Sequence, residues 1–117
     1  MATLTTQVIT RAGVTPAYVA GSSGGDACEV GDDIFLHFKN TNAANRTVTL
    51  AVPASASTYP NVPYTNPQVT VPLTVGDKMV GPISALFKDT VTGFCTITYD
   101  VNPPTNLTVG CFKLQAP

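Results

Sequence analysis

Ile34-Phe35-Leu36-His37-Phe38-Lys39 is the stretch on which the fold class turns. Side chains alternate across an extended chain with a period of two, so Ile34, Leu36 and Phe38 share one face. Phe35, His37 and Lys39 share the other. Farther on, Val48, Leu50 and Val52 repeat the pattern against Thr47, Thr49 and Ala51, and Val69, Val71 and Leu73 repeat it again. A surface helix needs apolar residues every three or four positions, and no such stripe outlasts two turns. The alternation predicts strands over Leu4–Thr10, Ala27–Val30, Asp33–Asn40, Arg46–Val52, Gln68–Leu73, Lys78–Val80, Phe94–Tyr99 and Leu107–Leu114. Strands with one face to bury and one to show build a sandwich or barrel. The expected fold is all-β: a single-domain antiparallel β-sandwich, jelly-roll or Ig-like.

The connections carry their own signals. Asn40-Thr41-Asn42-Ala43-Ala44-Asn45 is rich in turn-forming Asn and is expected to close a hairpin. The last two strands form a second expected hairpin around Pro103, with Tyr99 opposite Leu107, Ile97 opposite Val109 and Cys95 opposite Cys111. That register puts all six on one face and two thiols side by side. Pro53–Pro67 contains Pro60 and Pro63 as well, and reads as an extended loop. Gly81–Asp89, with Pro82 near its start, predicts one helical turn whose Leu86 and Phe87 plug the end of the core. Gly21-Ser22-Ser23-Gly24-Gly25-Asp26 reads as a flexible joint, dividing an N-terminal arm (residues 1–25) from a sandwich body (residues 26–117).

Composition narrows the function. Charged residues make up 11% of the 117 residues, six Lys and Arg against seven Asp and Glu. About 25% is usual for a soluble domain. A nearly neutral, Thr-, Ser- and Asn-rich surface repels its neighbours weakly, and so suits an assembly. Nucleic acid is not an expected partner, because the basic residues are scattered rather than grouped. Neither is a membrane, since no apolar run approaches the roughly 20 residues of a span. Met1–Gln7 has no basic and apolar signal-peptide pattern, which makes the cytoplasm the expected site of folding. Cys28, Cys95 and Cys111 have no C-x-x-C spacing and are expected to be buried reduced thiols.

No catalytic set assembles from these residues, and no cofactor or metal is expected. His37 is the one histidine and lies on an outward strand face. Ser22 and Ser23 lack the strand-to-helix setting of a nucleophile. Asp26, Glu29, Asp32 and Asp33 form an acidic cluster whose spacing fits no EF-hand and which punctuates a turn.

One further likeness spans nearly the whole chain. Ala2-Thr3-Leu4-Thr5-Thr6-Gln7-Val8-Ile9-Thr10-Arg11-Ala12-Gly13, with Pro16 and Tyr18, resembles the start of small tailed-bacteriophage virion proteins. Phe35–Asn40, Val71-Pro72, Met79-Val80-Gly81-Pro82 and Gly93–Tyr99 fit the same group. The resemblance implies a capsid decoration (cement) or minor head protein on the virion surface. Its partner would be the major capsid protein, and its own state a homo-oligomer, with a trimer favoured. Leu4, Val8 and Ile9 are then expected to anchor the arm on a neighbour, and Tyr59 and Tyr64 to touch one. Two other functions compete. One is a carbohydrate-binding or adhesive module of a tail or fibre, which the absence of Trp disfavours. The other is a tail-tube or connector subunit.

Overall fold

The computed structural model describes residues 2–53, 66–74 and 76–115 of the chain. Residues 54–65 of the proline-rich loop, with Tyr59 and Tyr64, lie outside the described residues. The described strands are β1 (Ala2–Thr3), β2 (Thr6–Ile9), β3 (Val19–Ala20), β4 (Asp26–Cys28), β5 (Ile34–Asn40), β6 (Arg46–Leu50), β7 (Gln68–Val71), β8 (Gly76–Val80), β9 (Cys95–Tyr99) and β10 (Leu107–Leu114). They form two packed sheets, a β-sandwich. Sheet A runs β1-β4-β9-β6-β7 and sheet B runs β2-β10-β5-β8, with β3 also on β10. Most pairs are antiparallel, but β1 runs parallel to β4 and β2 runs parallel to β10.

The period-two pattern sets the core. Ile34, Leu36 and Phe38 from β5 and Leu107, Val109 and Cys111 from β10 face Val48, Leu50, Cys95, Ile97 and Tyr99 of sheet A. Burial of each large aliphatic side chain contributes about 1.5–3 kcal/mol. Arg46 and Asn40 are buried among them, and Asn40 earns its place by hydrogen bonds. Its Nδ2 donates to the carbonyls of Ala44, Val71 and Pro72, at 3.0, 3.1 and 3.1 Å.

Several connections differ from the sequence-based expectation. The expected hairpin at Asn40–Asn45 is a crossover from sheet B to sheet A, because β5 pairs with β10 and β8 while β6 pairs with β7 and β9. Its Asn side chains still act as turn formers, with Asn40 Oδ1 accepting from the Asn42 amide and Asn42 Oδ1 from the Ala44 amide. β9 and β10 likewise lie in different sheets. Tyr99, Ile97 and Cys95 do share the core with Leu107, Val109 and Cys111, but across the sandwich and not along a ladder. The ladder partner of Cys95 is Cys28. A shared buried face is equally consistent with either arrangement, which is why the pattern alone misplaced the pairing. The helical turn is a short 3-10 segment, Ala85–Phe87. Ile83 is the plug, fully buried, while Phe87 is partly buried against the core.

The arm and joint also change meaning. Residues 2–9 are edge strands of both sheets, and Leu4 sits at the switch between them, 5% exposed, with its amide on the Ala27 carbonyl at 2.7 Å. Gly21–Asp26 is an ordered turn in which the Gly25 amide bonds the Ser22 carbonyl. Gly25 has φ +100°, and a Cβ there would lie 2.3 Å from the Ile97 carbonyl oxygen. Glycine is required at this point by left-handed backbone and close approach, not by flexibility.

Candidate functional site

A sandwich needs one apolar face per sheet, yet the outer face of sheet B is apolar as well. Odd-numbered positions of β5 point there, placing Phe35 and His37 outward, and β10 adds Phe112. Phe35 and Phe112 stack with centroids 5.6 Å apart. Gly110, between the inward Val109 and Cys111, leaves room for this packing, since a Cβ there would sit 2.8 Å from the Phe112 ring and 3.0 Å from the Ala17 carbonyl oxygen.

Residues 10–18 cross this face as a strap, tied down at two points. Gln7 makes a paired contact with the Ala17 backbone, donating from Nε2 to its carbonyl and accepting its amide on Oε1, both at 2.8 Å. Tyr18 Oη lies 2.7 Å from His37 Nδ1, and His37 Nε2 lies 2.8 Å from Asp77 Oδ1. A carboxylate can only accept, so Nε2 donates to Asp77; when the ring is neutral, Nδ1 accepts from the Tyr18 hydroxyl. The Tyr18 ring meets Phe112 edge-on at 5.9 Å and carries Lys39 Nζ 4.4 Å over its centroid. The charged groups beside the face are thus engaged with each other and with rings. Between strap and strands runs an apolar groove of about 280 Å³, lined by Ile9, Val14, Tyr18, Phe35, Phe112 and Met79 among others. Met79, on edge strand β8, is 69% exposed.

The residues singled out in the sequence scatter. Ile9 joins the groove and Val8 is exposed at the edge of β2, whereas Leu4 is core. In this chain Leu4 packs into the core cluster with Cys28 and Ile97. His37 lies on the outward strand face, as expected, with its side chain 12% exposed. The acidic cluster disperses. Asp26 is buried and accepts from Tyr99 Oη and the Ser22 amide, Glu29 accepts from Thr6, and Asp33 faces Lys113 at 4.0 Å. Among the described residues, no three His, Cys, Asp or Glu side chains are grouped to hold a metal ion. Phe35 and Phe112 were legible as outward aromatics by parity, but the strap that brings Tyr18 to them is a tertiary contact without a local signal.

The three thiols form a buried set, with Cys28 hydrogen-bonded to both Cys111 and Cys95. Those bonds, reinforced by burial, push the Cys28 thiol far above its ordinary range, so it keeps its proton. Tyr99 is likewise pushed up, by burial first and then by its bond to Asp26.

No family model, no curated protein and no solved structure matches this chain at a significant level.

Proposed function

We propose that this protein is a non-enzymatic structural component of a tailed-phage virion, a decoration protein that binds the major capsid protein on the outside of the head. The observation that carries the proposal is the second apolar face of sheet B, with Phe35 and Phe112 beneath the strap and Met79 open at its edge. Val14 and Met79 leave a small exposed apolar patch at the mouth of this groove, and exposed apolar patches mark contact sites. This one is almost free of unpaired charge, so docking it on a shell carries little desolvation cost. Covering one exposed Met contributes about 1.5–3 kcal/mol per copy, and many symmetric copies share the task. A homotrimer around a local three-fold axis fits that multivalent arrangement.

The test is binding of the purified protein to capsids lacking it, with copy number counted by mass spectrometry against the major capsid protein. Saturation at a fixed ratio in the hundreds of copies per head is expected, together with trimers in sedimentation. A monomer indifferent to assembled shells at high concentration would overturn the proposal.

A further inference from the structure

We infer that Cys28 and Cys95 are a latent disulfide, a pair that an oxidant of the low-molecular-weight disulfide class joins within the folded protein, locking β4 to β9. The two residues are direct Cα partners on neighbouring antiparallel strands. Directly opposed positions of such strands lie about 4.5–5.5 Å apart at Cα, inside the roughly 4.4–6.8 Å that a disulfide spans. Cys111 belongs to the other sheet, where it pairs with Leu36 and Thr6. Cys111 touches Cys28 from across the sandwich, but it is not held opposite Cys28 on one ladder as Cys95 is. It remains a third, unbridged thiol, with the Thr6 hydroxyl 3.7 Å from its sulfur.

A buried pair needs a way in. The outer edge of β4 is covered by the two-residue strand β1 and by the Leu4 amide on the Ala27 carbonyl. A cavity of about 380 Å³ runs beneath Ala2, Thr3, Leu4 and Thr5 and reaches Cys111. So short an edge strand over a void is where local opening is least costly. Opening there uncovers β4 and its thiol without unfolding the sandwich.

The chemistry balances with oxidised glutathione as the reagent. One cysteine thiolate attacks the reagent's S–S bond, forming a mixed disulfide and releasing one glutathione. The second cysteine, deprotonated once local opening admits water to it, then displaces the other glutathione, leaving the Cys28–Cys95 bond. Two cysteines are oxidised, one reagent disulfide is reduced to two thiols, and the two cysteine protons end on those thiols.

The experiment incubates the reduced, folded full-length chain with oxidised glutathione at pH 8, then quenches with an alkylating reagent in denaturant. Intact mass should show free thiols falling from three to one, and a non-reducing peptide map should join Cys28 to Cys95. The melting temperature should rise on the order of 10 °C, since the bridge closes a long loop in the unfolded chain. Cys111→Ala should bridge as the parent does, and Cys95→Ala should not. If Cys95→Ala fails to fold, the parent map and Cys111→Ala decide. Three thiols still open to alkylation, a glutathione adduct without a bridge, or a bridge involving Cys111 would each overturn the inference.

Discussion

Replacing Tyr99 by Phe isolates one buried polar contact from everything around it. The hydroxyl donates to Asp26 Oδ2 at 2.5 Å, and Asp26 is fully buried. Its other oxygen, Oδ1, has no hydrogen-bond partner, so after the substitution the carboxylate keeps one donor, the Ser22 amide at 3.1 Å. The ring stays in place, and no cavity opens. A hydrogen bond to a charged group contributes about 1.5–3 kcal/mol, and loss of one partner of a buried charge falls at the upper end. The expected cost at pH 7 is about 2–3 kcal/mol by urea denaturation, or roughly 8–12 °C in melting temperature. The pH dependence gives a second check. The phenol is raised in the folded state above its ordinary value of 10.0. A group raised on folding stabilises fully below its unfolded value and loses that contribution as pH climbs past it. Stability of the parent should therefore fall more steeply between pH 9 and 11 than that of Tyr99→Phe, and the two curves should converge. Cys28, raised in the same direction, acts equally in both proteins and drops out of the difference. A cost below about 0.5 kcal/mol at pH 7, or parallel curves up to pH 11, would refute the reasoning.

Other perturbations separate the fold from the contact face. Leu4→Ala should cost about 2–4 kcal/mol in denaturant unfolding, because the side chain fills the sheet switch. Gly25→Ala should lower the melting temperature sharply, as its Cβ would meet the Ile97 carbonyl at a φ of +100°. Met79→Lys should leave stability within about 0.5 kcal/mol while reducing capsid occupancy in a co-sedimentation assay. Tyr18→Phe should cost about 1 kcal/mol and speed amide exchange in residues 10–18, since the strap loses its bond to His37.

The strands and their buried faces could be read from residues such as Ile34, Leu36 and Phe38, because period-two burial is a local property of the chain. Which strand lies beside which could not. Cys95 and Cys111 share a core with equal ease across a hairpin or across a sandwich, and only the three-dimensional path of residues 100–106 distinguishes the two. Glycine was ambiguous for a similar reason. Gly25 looks the same in sequence whether it frees the chain or fits a crowded turn against Ile97. Of the candidate face, the outward Phe35 and His37 were accessible by parity, whereas the bonds of His37 to Tyr18 and Asp77 join residues 19 and 40 positions away.

Parallel pairing of β2 with β10 has a consequence for biosynthesis. Thr6 and Cys111 are neighbours separated by 105 positions of chain. During translation, β2 leaves the ribosome long before its partner exists, and the sticky rims of both half-built layers stay uncovered meanwhile. Closure thus waits until residues 107–114 have been made, and it is slowed by its reliance on distant contacts. High-level expression should be aggregation-prone at the nascent stage, while β5 and β2 still lack β10 between them.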